Sequence, residues 1–95
     1  MFILVIYDIS DNETRLDLAN YLKTKGFTRI QRSAFIGKPL PSVLRDVSRT
    51  LSKFIESSSD VIHLIPLLDY SIKHIVVYGK PIAEITSERR LVVIE

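Results

Sequence analysis

"FILVIYDISDNETR", residues 2–15, decides the fold. Five apolar residues, Phe2 to Ile6, run into Tyr7 and Asp8, and a polar, acid-rich segment follows at once. The run is short, β-branched and aromatic, and apolar at both alternations, the pattern of a strand buried on two faces. The polar segment opens a helix. Ser10 with Glu13 three residues on matches a capping box, and acids gather where a helix N-terminus is electropositive. A carboxylate between strand and helix has two readings: Asp8 helps the chain turn, or it offers a hard oxygen donor to a metal ion. Because Ser10 supplies a cap and Asp11 and Glu13 supply charge, Asp8 is redundant in the first role.

Working outward, Leu16, Ala19 and Leu22 form an apolar stripe with Leu18 beside it, and Lys23, Lys25 and Gly26 close the helix. "TRIQRSAFIG" (28–37) is extended, either one bent strand or a tight hairpin. Two prolines introduce a second helix, on which Val43, Leu44, Val47, Leu51, Phe54 and Ile55 keep helical spacing until a run of serines ends it. "VIHLIPLL" (61–68) and "IKHIVVYGK" (72–80) predict two more strands joined through Asp69 and Tyr70, and "RRLVVIE" (89–95) a short tail strand flanked by Arg89 and Arg90. The order is β-α-β(β)-α-β-β plus the tail. It predicts a single α+β domain over residues 1–95: a ferredoxin-like two-layer sandwich, mostly antiparallel, with two helices on one face.

Two helices cover one face of such a sheet, yet three strands are apolar on both. The simplest cover for the second face is another copy of the chain, so a two-fold dimer is expected.

At 95 residues with 46% hydrophobic composition the chain is long enough for one modest core. It has no cysteine, which excludes disulfides and thiolate metal sites. No apolar run is long enough to span a bilayer as a helix and no leader pattern opens the chain, so a cytoplasmic protein with no membrane partner is expected. The net charge of +2 is mildly basic, and its placement matters more than its size. Arg45, Arg49 and Lys53 recur every four residues opposite the apolar stripe of the second helix. They form either a solvated face or a track for a phosphate backbone, and Arg29, Arg32 and Lys38 add charge near strand two. His63 and His74 face each other if the turn centres on Leu68 and Asp69. With no acidic partner they read as structural.

The apolar strand ending in Tyr7-Asp8-Ile9, Arg15 in the first helix, "GFTRIQRSAFIG" (26–37), the amphipathic second helix and "DVIHLIPL" (60–67) follow one another in an order that resembles the CRISPR-associated protein two family over nearly the whole chain. The resemblance implies a ferredoxin-like homodimer with magnesium, or another divalent ion such as manganese, held between the Asp8 carboxylates of the two protomers. It implies metal-dependent endonuclease activity on RNA or DNA, and partnership with the CRISPR integrase during spacer acquisition. By similarity, Tyr7, Asp8, Arg15, Arg29, Ser33 and Phe35 fall on positions tied to activity. The chain departs from many relatives at Asp17, where they carry a basic residue, and at Ile36, where they carry an acid. The missing acid leaves Asp8 without an obvious second carboxylate.

Under this reading a bound magnesium ion lowers the pKa of a ligand water and stabilises charge on the scissile phosphate. Arg15 or Arg29 holds that phosphate, and Phe35 is either a base-stacking ring or a core aromatic. Ser33 has no general base beside it and reads as a backbone-bonding residue. The alternative is a non-catalytic architectural bridge that binds duplex DNA and the integrase. A weaker third reading is a related ferredoxin-like toxin ribonuclease.

Overall fold

A computed structural model describes residues 1–85 and 91–93. Strand β1 (Phe2–Asp8) leads into helix α1 (Asn12–Thr24), strands β2 (Thr28–Gln31) and β3 (Ala34–Gly37), helix α2 (Pro41–Thr50) with a 3₁₀ turn at Leu51–Phe54, and strand β4 (Val61–Leu67). A short helix α3 (Asp69–Lys73) and strands β5 (Ala83–Ile85) and β6 (Leu91–Val93) follow. The main sheet has the order β2-β3-β1-β4 and is antiparallel throughout. The strand and helix order expected from the sequence is present up to β4, and "TRIQRSAFIG" is a tight hairpin turning at Arg32 and Ser33.

The pleat of β1 divides the apolar residues. Ile3, Val5 and Tyr7 are buried against the helices with Leu18, Ala19, Leu22, Phe35, Val47 and Leu51. Phe2, Leu4 and Ile6 take the opposite face. Helix α1 ends as the sequence suggests: Gly26 has φ +90°, its N–H donates to Lys23 O, and the Phe27 N–H donates to Leu22 O at 3.0 Å. This paired closure needs a left-handed residue at Gly26, and Leu22 and Phe27 join the same core.

Several expectations are corrected. Asp11, not Ser10, caps α1, accepting the Thr14 N–H at 2.9 Å, because Ser10 is taken by Asp60. Leu16 is 60% exposed, so the buried stripe is Leu18, Ala19 and Leu22. The strand expected at 72–80 is absent. Residues 69–73 form α3 instead, closed by the Ile72 N–H to Leu68 O, because this turn sets Ile72 onto Phe2 and Ile36. His63 therefore faces Ile6 across the β1–β4 ladder, while His74 lies 4.3 Å from the Tyr70 ring. The tail strand β6 pairs with β5 in a separate two-stranded sheet. Arg89 and Arg90 lie outside the described residues.

The second sheet face is half covered. Ile72 closes over Phe2 and Ile36, with Leu4, Ile30 and Leu67 packed around them. At the other end of the same face Ile6 is 39% and Val61 41% exposed, beside His63 and Asp8.

Candidate nuclease site

Asp8 sits at the last rung of the β1–β4 ladder, opposite Val61. Its backbone surroundings are fixed on every side. The Tyr7 N–H donates to Ser33 O at 3.0 Å, Ile9 O accepts from Arg15 Nη1 at 2.9 Å, and the Ser10 N–H donates to Asp60 Oδ1 at 3.0 Å. Among the described residues, no hydrogen bond or ion pair takes the Asp8 carboxylate, and that side chain is exposed. A rigid strand end thus carries a solvent-facing oxygen donor.

The other residues that the resemblance ties to activity divide by burial. Phe35 is 0% exposed, and Tyr7 is buried with its ring stacked on Phe35 at a centroid separation of 6.3 Å. The Arg29 guanidinium lies 5.1 Å from the Phe35 centroid, so the three side chains form a packed row under the sheet's edge. A fully buried Phe35 is a core aromatic; its ring has no face open to a nucleobase. The Tyr7 hydroxyl and Arg29 Nε are buried without a hydrogen-bond partner among the described residues. Arg15 binds Ile9 O and Asn12, tying α1 to the segment just after Asp8. Ser33 contributes its backbone carbonyl, as the sequence suggests. Of the six, Asp8 alone has an exposed side chain.

The cations lie elsewhere on the surface. Arg45, Arg49 and Lys53 are exposed on α2 and its 3₁₀ extension. Arg32 is exposed in the β2–β3 turn, and the Lys38 ammonium rests 5.4 Å from the Phe2 ring. Asp46, next to Arg45, accepts from Tyr21 Oη at 2.8 Å and pairs with Lys25 at 2.9 Å, tying α1 to α2. The Lys25 ammonium is the main cause holding the Asp46 carboxyl below its usual range. Such exposed pairs contribute little, so the buried core, not this pair, holds the two helices together.

Sequence reasoning missed Asp60. Its carboxylate gathers both sides of the α2–β4 loop, and the Ser10, Ser57 and Glu56 backbone N–H groups hold it far below the ordinary carboxylate range. A signal for it exists: an Asp after three serines, just before a strand, marks a side-chain-bonded turn.

The donor chemistry at Asp8 suits magnesium, which takes oxygen ligands, often one or two carboxylates with water. Among the described residues, no group of three His, Cys, Asp or Glu side chains forms a ready-made cage.

An antiparallel β2-β3-β1-β4 sheet backed by two helices, its central buried strand ending in an exposed carboxylate, defines a small ferredoxin-like protein with a candidate site at the end of β1. The family model "CRISPR associated protein Cas2" matches residues 1–75, and the chain belongs to this family. It is 35% identical over 89 residues to a protein of Archaeoglobus fulgidus named CRISPR-associated endoribonuclease Cas2 1, covering 94% of this chain and 95% of the relative. It is 32% identical over 59 residues to a CRISPR-associated endonuclease Cas1/endonuclease Cas2 fusion of Thermoproteus tenax, 62% of this chain but 22% of the fusion. The crystal structure of Streptococcus pyogenes Cas2 has the same fold, with a TM-score of 0.73 at 21% identity over 83% of this chain and 100% of that one. Among the described residues no helix is long and apolar enough to cross a membrane.

Proposed function

We propose that this chain is a divalent-metal-dependent endonuclease of CRISPR spacer acquisition, working in the cytoplasm as a homodimer on RNA or DNA. The observation that carries this reading is Asp8: an exposed carboxylate without a partner among the described residues, on a backbone held from three directions. The half-uncovered sheet face around Ile6 and Val61 supports the dimer. Two Asp8 carboxylates meeting at a two-fold axis would repel unless a cation lay between them. A magnesium or manganese ion there supplies an activated water and neutralises charge on the scissile phosphate.

The chain's own residues then have separate tasks. Asp8 of each protomer orients its oxygens toward the shared position. The Tyr7–Phe35–Arg29 row and the Arg15–Ile9 bond keep the strand end from shifting. The exposed Arg32, Lys38, Arg45, Arg49 and Lys53 bind the phosphate backbone away from the reacting atoms. The relatives' endoribonuclease names support cleavage as the activity. The test is cleavage of labelled single-stranded RNA and duplex DNA with magnesium or manganese and with excess chelator. Metal-dependent, chelator-sensitive cleavage is expected, and none on any substrate would refute the reading.

The Thermoproteus tenax fusion favours a second role. A segment like this chain is there joined to the larger adaptation protein, so a bridge to the CRISPR integrase on duplex DNA is the alternative. It requires the dimer and the basic stripe but not Asp8.

A further inference from the structure

Beyond the Asp8–Val61 rung, β1 and β4 part into loops, and the backbone ladder ends. Asp60, the residue before Val61, continues the link with its side chain. Oδ1 accepts the Ser10 N–H, the Ser10 hydroxyl and the Ser57 hydroxyl, each at 3.0 Å. Oδ2 accepts the Glu56 and Ser57 N–H groups, also at 3.0 Å. One carboxylate thus ties the segment two residues after Asp8 to the α2–β4 loop, fifty positions away in sequence. Glu56 in turn reaches the Thr14 hydroxyl in the first turn of α1.

We propose that Asp60 is a positioning residue for Asp8: its carboxylate locks the strand end so that the Asp8 carboxylate keeps a fixed place, a role that rests on Asp8 as the metal-holding group. The physical case is one of leverage. Asp8 has no side-chain bond of its own among the described residues, so its place is set by its backbone alone. On the β4 side that backbone is held by the final ladder rung and by this carboxylate one residue further on. Arg15 holds the same segment from the helix side through Ile9 O. Without Asp60, the Ser10 N–H loses its acceptor and the last rung becomes a frayed end. Displacements of about 1 Å at a reacting group can cost roughly a hundredfold in rate.

The experiment compares wild type, Asp60→Ala, Asp60→Asn, Asp8→Asn and Val47→Ala, the last a core change on α2 with no part in the Asp60 bonds. Cleavage of a labelled RNA in manganese gives kcat and KM, and hydrogen exchange follows the amides of residues 7–10. Asp60→Ala should lower kcat by at least about tenfold, leave KM within about twofold, and speed exchange at Ser10. Asp60→Asn, which keeps one carbonyl acceptor, should recover part of the rate. Val47→Ala should lose thermal stability yet keep its kcat. The proposal is overturned if Asp60→Ala keeps its kcat, if its loss tracks instability as in Val47→Ala, or if Ser10 exchange is unchanged. Should Asp60→Ala fail to fold, Asp60→Asn carries the same comparison. Equal cleavage by wild type and Asp8→Asn would remove the metal-holding reading and the positioning role with it, an outcome visible without touching Asp60.

Discussion

Asp8 and Val61 face each other across the last rung between β1 and β4, so the carboxylate stands where the sheet ends and solvent begins. The same face runs back through Ile6 and Leu4 to the half that Ile72 covers. The end that carries Asp8 and the uncovered apolar end of the sheet are thus one place.

That placement separates folding from association. Val5 is fully buried on the helix face, whereas Ile6 is exposed on the other. Val5→Glu should unfold the chain, because an unpaired buried charge costs several kcal/mol against about 5–15 kcal/mol of total stability. Ile6→Glu should leave the circular dichroism spectrum intact and convert a dimer to a monomer by sedimentation at micromolar concentration.

The packed row under the strand makes a contrasting pair. The Tyr7 hydroxyl is buried without a partner among the described residues, so Tyr7→Phe should leave the melting temperature unchanged or raise it. Phe35→Ala removes a fully buried ring and should cost about 3–5 kcal/mol, enough that lost activity reflects lost fold. Thermal melts of both variants check this.

Salt tests the binding surface. Neutralising Arg45, Arg49 and Lys53 together should weaken nucleic-acid binding. It should also flatten the dependence of log affinity on log salt, by up to about 0.9 for each duplex-DNA phosphate that these cations no longer neutralise. Fluorescence anisotropy across a salt series reads the slope. An unchanged slope would move the binding surface to the exposed Arg32 and Lys38.

Acid tests the loop clamp. The Asp60 carboxyl is held far below its ordinary value of 3.8, first by the Ser10 N–H. A depressed folded value means that the stabilisation is present above the unfolded value and is lost as pH falls below about 4 toward the folded one. Asp60→Asn should therefore flatten the acid limb of stability in that window, as measured by urea melts from pH 5 to pH 2.

The fold is legible in the sequence because its signals are local. The apolar strand, the Gly26 cap and the spacing from Val43 to Leu51 each name their own element. Residues 69–80 mislead because "IKHIVVYGK" has strand composition, while the actual structure depends on Ile72 finding Phe2 and Ile36, a pairing no local pattern encodes. The capping box fails for a similar reason: Ser10 has a better partner fifty residues away. Asp8 is legible as a candidate from its position. The burial of Tyr7 and Phe35 is not, since an aromatic in a short apolar run reads alike in a core and at a surface site.

The central claim is that Asp8 holds the metal used in cleavage, and the most direct measurement is the single-turnover cleavage rate of Asp8→Asn beside wild type in saturating manganese. Asn keeps the size and turn-forming ability and removes the charge. The account predicts a loss of two or more orders of magnitude, roughly the scale of removing one catalytic stabilising group, with unchanged melting temperature and unchanged dimer mass. A variant that cleaves within about twofold of wild type would contradict it, and would leave Asp8 as a turn residue at the end of a well-made strand.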